Sequence, residues 1–305
     1  MSIWFIGTGT FAALCLDELT QSGVVFDRII TGLPTRSGRN GKENPSPVEL
    51  KALSLELSTK ISQTGRLSDN HELIDALESE NPSAIFVIDF GQIIREPFLS
   101  RLCLNIHPSL LPEYRGAAPI QRAILDGKTK IGVTVFRLAA KMDAGEILAQ
   151  SEIEISQSEN ASDIYPKLAK EGCALASKAL TSDKLAFTIQ DERFATYAPK
   201  IEKSEFELSF DFPAERFVNT VRALDMSGGA YVMISGKRLK IWRASAKIDG
   251  TNPVFNCKDG SVELIEVQPE GKRKMTGREW SAGLRLKDGT ERRNKNCVNF
   301  KENAL

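Results

Sequence analysis

Histidine is the scarcest ionisable residue in this chain: only His71 and His107 occur among 305 residues. Cysteine is nearly as sparse. Cys15, Cys103, Cys173, Cys257 and Cys297 are odd in number, widely spaced and free of any Cys-x-x-Cys pair, which excludes a disulfide framework and a zinc cage. A metal site would rest almost wholly on carboxylates, and no metal is expected. No apolar run approaches the roughly 18 residues that span a bilayer, and Met1 leads into Ile3-Trp4-Phe5-Ile6 without a basic, apolar leader. The expectation is a cytoplasmic protein with no membrane association. Net charge is lacking too, since 40 Lys and Arg offset 40 Asp and Glu. That balance is uneven: residues 201–305 hold 19 basic against 15 acidic residues, and the remainder 21 against 25. The back of the chain is therefore open to a polyanionic partner, or simply carries a solvated face.

What is present suits a globular protein, 41% hydrophobic and 26% charged, long enough for two domains. The front alternates strand and helix. Ile3–Ile6 reads as an apolar strand, Gly7-Thr8-Gly9-Thr10 as a turn, and residues 11–22 as a helix with Phe11, Leu14, Cys15 and Leu19 on one face. Residues 24–31, 85–88, 102–106 and 132–138 read as further strands, and 70–79, 119–125 and 162–180 as helices. This succession predicts an α/β fold, a Rossmann-like doubly wound, mostly parallel sheet. Gly7-Thr8-Gly9 lacks the third glycine and the acidic partner of a dinucleotide fingerprint, so NAD binding is not read there. Beyond a connecting stretch the texture changes to one helix, residues 214–224, and short alternating strands at 231–234, 238–242 and 262–267, the first two joined by Ser235-Gly236. A small β-rich barrel of OB type is expected. The implied division is 1–187, a linker at 188–205, and 206–305.

Between the second strand and a helix near Val48 lies a long Gly- and Pro-rich connection, residues 32–47, with Arg36, Arg39 and Lys42 beside one Glu. Connections in compact domains run to about 4 to 6 residues, so one this long is either functional or a mobile insertion. Spaced cations favour a phosphate-bearing partner.

The chemistry gathers at Asn105-Ile106-His107-Pro108-Ser109-Leu110-Leu111-Pro112 and at Asp143. Residues two apart on a strand share a face, so Asn105 and His107 point together at a strand's carboxyl end, where open parallel sheets bind ligands. The helix from Pro119 is expected to make the strands at 102–106 and 132–138 a βαβ unit, placing Asp143 at the same edge. An amide and an imidazolium can bond an oxyanion forming on a carbonyl carbon, and a carboxylate beside an imidazole favours its charged form and can accept a proton from an attacking amine. Acyl transfer to nitrogen by direct attack fits these groups, because no nucleophilic Ser or Cys is paired with His107. Read singly, each has a structural alternative: a strand-end histidine, a capping Asn, a turn Asp.

Several segments resemble the methionyl-tRNA formyltransferase family, within the formyltetrahydrofolate-dependent transferases. They are Phe5-Ile6-Gly7-Thr8 with Phe11-Ala12, Pro45-Ser46-Pro47-Val48, residues 105–112, the stretch 115–124, Gly132-Val133-Thr134, Asp143-x-Gly145, Tyr197-Ala198-x-Lys200, the stretch 236–242 and the stretch 267–272. The resemblance implies the formyltransferase fold, with Asn105, His107 and Asp143 as the catalytic residues and Ser109, Leu110, Leu111 and Pro112 as the folate-binding segment. It further implies 10-formyltetrahydrofolate as formyl donor, initiator methionyl-tRNA as acceptor, Arg36, Arg39 and Lys42 in a tRNA-contacting insertion, and an RNA-facing second domain presenting Arg238, Lys240, Lys272, Arg273 and Lys274. A monomer is expected. This chain departs from the family pattern at Pro108, at Asp89-Phe90-Gly91, at Ala144 and at 225–229. Two rival readings share the fold: a formyltransferase acting on an amino-sugar nucleotide, which would not need the basic loop, and a nucleic-acid-binding module without the chemistry.

Overall fold

The structure, a computed structural model, describes residues 2–37, 42–182 and 184–288. In chain order the first elements are β1 (Ile3–Gly7), α1 (Thr10–Gln21), β2 (Arg28–Gly32), β3 (Thr35–Ser37), β4 (Lys42–Asn44), α2 (Pro47–Ser54), β5 (Ile61–Thr64), α3 (His71–Glu80) and β6 (Ala84–Ile88). There follow β7 (Cys103–His107), β8 (Arg115–Gly116), α4 (Pro119–Leu125), β9 (Lys130–Arg137), β10 (Ile147–Glu154), α5 (Ala161–Leu180) and β11 (Tyr197–Ala198). Last come α6 (Ala214–Leu224), β12 (Ala230–Ile234), β13 (Lys237–Ser245), β14 (Val254–Asn256), β15 (Ser261–Pro269), β16 (Met275–Thr276) and α7 (Gly277–Asp288). Two compact units share the middle of the chain, one of residues 1–119, 130–153 and 165–198 and the other of 120–129, 154–164 and 199–305. Among the described residues no helix is long and apolar enough to cross a membrane.

The first unit is built on a seven-stranded sheet in the order β10-β9-β7-β6-β1-β2-β5. Strands β5, β2, β1, β6 and β7 run parallel, and β6, Ala-Ile-Phe-Val-Ile, is buried along its whole length, as a strand covered on both faces must be. The pleat divides the core. Trp4, Ile6, Ile85, Val87 and Cys103 pack with Leu73 and Leu77 of α3 on one face, while Phe5 and Phe86 meet Phe26 edge-on from the other. Helix starts follow local chemistry: Ser46 accepts from the Glu49 N–H with Pro47 in the first turn of α2, and Asn70 accepts from the Leu73 N–H ahead of α3.

One expectation is corrected. Strand β9 lies antiparallel to β7, with Leu104 opposite Arg137 and His107 opposite Thr134, so no βαβ unit links them. Helix α4 has seven residues, about 10 Å of rise, too little to carry the chain back along a five-residue strand of roughly 17 Å. The chain therefore re-enters the sheet at the edge it left. The long connection also differs from an irregular loop, since β3 and β4 pair antiparallel within it.

The sheet reverses its winding between β1 and β6, and there Gly7-Thr8-Gly9 meets Asp89. The Asp89 carbonyl accepts from the Thr8 and Gly9 N–H groups at 3.1 and 3.0 Å, and its carboxylate takes the N–H groups of Phe11 and Ala12 in the first turn of α1. A Cβ at position 9 would overlap that carboxylate. The helix N-terminus that holds a pyrophosphate in dinucleotide-binding folds is thus occupied by an internal anion.

In the second unit β12 and β13 form the expected hairpin through Ser235-Gly236, both at positive φ, and β13, β15, β14 and β16 complete a five-stranded antiparallel sheet bulged between Ile241 and Ala244. Phe210 stacks between Phe217 and Phe255 at 5.5 and 4.8 Å. Buried Arg222 donates to the carbonyls of Glu159 and Ser156, both at 2.8 Å, tying that loop to α6.

Loss of hydration pushes the Asp89 carboxyl up to about 6, against the lowering by the Phe11 and Ala12 N–H groups. A value raised on folding adds stability below the ordinary carboxylate range, and that contribution is lost as pH rises through about 6. Asp89→Asn keeps an acceptor but cannot ionise. Its urea midpoint is expected to gain on that of the parent between about pH 5 and pH 7.5, by a small margin because Asp89 still reaches solvent. A variant that loses ground over that interval would contradict this account.

Candidate active site

The pleat of β7 puts Asn105 and His107 on the face shared with Cys103, as their even spacing requires. The Asn105 amide is half-buried and takes no protein partner among the described residues. His107 is buried, packs edge-on against Phe136 at 6.4 Å, and has Nε2 2.9 Å from the Tyr114 carbonyl oxygen. A carbonyl can only accept, so Nε2 carries the proton and Nδ1 is the nitrogen that faces outward. Asp143 Oδ2 lies 3.9 Å from that Nδ1, beyond hydrogen-bond reach, which leaves room for a third group to bond there.

Asp143 reaches His107 by a route that strand order alone does not provide. Strand β9 ends beside the start of β7, and the loop after it doubles back. Asp143 has a left-handed backbone, φ 49°, and its Oδ2 accepts the Gly116 N–H at 2.8 Å. Two residues on, Gly145 packs so closely that a Cβ would run into the Arg137 carbonyl oxygen. Sequence reasoning missed the groups behind this loop. Gln190 donates through Nε2 to the carbonyls of Asp143 and Gly145 at 2.9 and 2.7 Å, and its Oε1 accepts from Arg115 Nη2 and Nε at 2.7 and 3.1 Å. Arg115, fully buried, also pairs with Glu192, which Lys141 meets from the other side at 2.6 Å. Hydrogen bonds from Arg115 and then Lys141 hold the Glu192 carboxyl down to about 2. The one advance signal was the Arg115-Gly116 pair itself, which β11 joins as a parallel strand.

Ser109, Leu110, Leu111 and Pro112 form a turn beside His107 whose polar groups are used internally. Ser109 Oγ donates to the Glu113 carbonyl at 2.6 Å, and Thr134 Oγ1 donates to the Ser109 carbonyl and accepts the Leu111 N–H. Gln150 Nε2 donates to the Leu111 carbonyl at 2.8 Å. A cavity of about 560 Å³ opens at the carboxyl ends of β5 and β6, lined by Gly65, Arg66, Ser68, Gln92, Ile93 and Arg95. Of the loop cations, Arg36 is exposed and pairs with Glu43 at 3.0 Å; Lys42 stands in β4 opposite Ser37; Arg39 lies outside the described residues. Among the described residues no group of His, Cys, Asp and Glu could hold a metal ion.

In the second unit the Arg238 guanidinium lies 4.3 Å from the Tyr231 ring centre, and Lys274 and Lys240 lie 3.6 and 5.6 Å from that of Trp242. Trp242 Nε1 donates to Gln268 Oε1, whose amide in turn donates to the Lys272 carbonyl. Cations and aromatic faces interleave on one sheet.

Gly145→Ala is expected to destabilise the fold by about 2 kcal/mol or more, because the obstacle is backbone and cannot rotate away. Chemical denaturation measures it, and an unchanged midpoint would contradict the packing described for this loop.

Comparison with known proteins places the site in context. A family model described as formyl transferase matches residues 1–180, and one described as formyl transferase, C-terminal domain, matches residues 200–285. A methionyl-tRNA formyltransferase of Caldicellulosiruptor saccharolyticus is 36% identical over 309 residues, covering 95% of this chain and 99% of its own length. That of Chromobacterium violaceum is 33% identical over 305 residues, again covering 95% and 99%. Among solved structures, methionyl-tRNA formyltransferase from Clostridium thermocellum shares the fold with a TM-score of 0.59 at 17% identity, over 91% of this chain and 100% of that one. WlaRD, a sugar 3N-formyl transferase, does so at 0.61 and 19% identity, over 90% and 99%. With both family models matched in order and relatives above 30% identity over nearly the whole length, the chain belongs to the formyl transferase family.

Proposed function

We propose that this protein transfers the formyl group of 10-formyltetrahydrofolate to the free amine of the methionyl moiety on initiator methionyl-tRNA, the reaction that prepares that tRNA for translation initiation. The observation that carries the reading is the juxtaposition of Asn105, His107 Nδ1 and Asp143: a half-buried amide without a partner among the described residues, two positions along the strand from an imidazole–carboxylate pair separated by 3.9 Å. Relatives called methionyl-tRNA formyltransferase, alike from end to end, support this acceptor.

In this reading the donor supplies an electrophilic formyl carbon, and the protein's groups act around it. Asn105 donates to the formyl oxygen as it gains negative charge. His107, as the imidazolium, donates to the same oxygen through Nδ1–H, its Nε2–H held by the Tyr114 carbonyl. Asp143, its carboxylate aimed by the Gly116 N–H, takes the proton released by the attacking amine; the oxyanion then collapses, the bond from the formyl carbon to N10 of the donor breaks, and that nitrogen picks up a proton as tetrahydrofolate leaves. Ser109–Pro112 offers the donor a rigid wall, since its polar groups are already bonded. The 560 Å³ cavity is of ligand size and presents Arg66 and Arg95 to carboxylates such as those of a folate tail. Residues 1–187 carry this chemistry and 188–205 link them to 206–305, whose Arg238, Lys240, Lys272, Arg273 and Lys274 face RNA. The cation-bearing Tyr231 and Trp242 rings suit a phosphate backbone with stacked bases. Arg36, Arg39 and Lys42 of the 32–47 connection contribute further cations toward the tRNA. The protein acts as a cytoplasmic monomer.

Incubation with the donor and charged initiator tRNA, followed by identification of the product, tests the reaction; formylation that proceeds equally on a free amino sugar would sink it. Asn105→Ala is expected to lower kcat about a hundredfold, roughly 3 kcal/mol of transition-state stabilisation, with His107→Ala at least as damaging and tRNA binding kept. A loss below tenfold counts against the oxyanion role. Neutralising Arg36, Arg39 and Lys42 together is expected to raise the KM for tRNA and flatten its salt dependence, and an unaffected KM would favour a small acceptor.

A further inference from the structure

The Asp143 carboxylate sits on a loop that has reasons to move: its backbone is left-handed, the chain doubles back to bring it to His107, and its working oxygen is held by the Gly116 N–H. A carboxylate that must stand beside Nδ1 at a set distance needs its backbone held from behind. One side chain does this. Gln190 is buried, and its amide nitrogen grips the carbonyls on either side of Ala144, at Asp143 and Gly145. Its oxygen is clamped by two nitrogens of Arg115, which forbids the amide from flipping. The chain of contacts then closes on itself, because Glu192 binds Arg115 and also Lys141, two residues before Asp143, while Arg115 is joined in sequence to Gly116, the donor to the Asp143 carboxylate.

We propose that Gln190 is the positioning residue for Asp143, with Arg115 setting the direction of its amide; this rests on the catalytic reading of Asp143. Gln190 touches neither reacting group. Its effect is to hold the 143–145 backbone so that the carboxylate faces Nδ1, and the information comes from a segment that crosses behind the site on its way out of the unit. A glutamate in its place would keep the Arg115 contact yet lose both N–H donors, putting an acceptor against two carbonyl oxygens. A leucine would lose both sets of bonds while keeping most of the volume.

Steady-state kinetics with formyl donor and charged initiator tRNA, on the intact protein, tests the proposal through Gln190→Glu, Gln190→Leu, Asp143→Asn and the double variant Gln190→Glu with Asp143→Asn. The expected result is a fall in kcat of tenfold or more for Gln190→Glu and Gln190→Leu, a KM for tRNA within about threefold of the parent, and no further loss when Gln190→Glu is added to Asp143→Asn. If Asp143→Asn keeps the parental kcat, the reading of Asp143 fails and the role of Gln190 falls with it. If Asp143→Asn is severe but Gln190→Glu is harmless, or multiplies its loss in the double variant, Gln190 does not act through Asp143 and the proposal is overturned on its own. Should Gln190→Leu not fold, Gln190→Glu retains the bonds to Arg115 and decides the question. Thermal unfolding of each variant separates a general loss of folded protein, which lowers active concentration without this pattern, from the selective fall in kcat.

Discussion

A guanidinium taken wholly out of water must find its hydrogen bonds inside the protein, and the site is organised around the way Arg115 does so. Its partners, Gln190 and Glu192, lie 75 and 77 residues further along the chain. Removing a partner of a buried ion leaves an uncompensated charge, which destabilises the fold. The segment that supplies both is therefore bound to the sheet edge, and once there it pairs β11 with β8 and reaches the loop of Asp143. Fold closure and site geometry are satisfied by one interaction.

The same economy appears at the switch point of the sheet. A crevice that could have taken a phosphate is filled by the Asp89 carboxylate, which satisfies the first turn of α1. Asp143 and His107 meet 3.9 Å apart, and a separate cavity is lined by Arg66 and Arg95. In the second unit Arg222 plays the part that Arg115 plays in the first: a buried cation whose carbonyl partners come from a distant loop.

Much of this was legible beforehand. Helix α4 and helix α6 have the bounds that sequence assigns, since Pro119 opens one and both apolar faces end sharply. The shared face of Asn105 and His107 follows from the two-residue period alone. Other elements carry too little signal. Strand β5, Ile-Ser-Gln-Thr, is short and half-exposed, and β3 and β4 are three residues each within a glycine- and proline-rich stretch. The direction of β9 leaves no mark on its own residues, because a strand buried on both faces reads as one apolar run whichever way its neighbour goes. Gln190 was invisible for another reason: its importance lies in four bonds to groups far away in sequence, and nothing adjacent to it announces them.

By itself the sequence determined the α/β alternation, the change to short antiparallel strands near residue 230, the scarcity of histidine and cysteine, and the placing of an amide and an imidazole on one strand face. Those are properties of composition and local period, which short-range sterics and burial impose. Tertiary structure decided the rest: that β9 turns back antiparallel, that His107 spends Nε2 on the Tyr114 carbonyl and presents Nδ1, and that Asp143 arrives by a doubled-back loop held by Gln190 and Arg115. Each depends on pairing groups tens of residues apart, and only the folded chain brings a buried donor within reach of its acceptor.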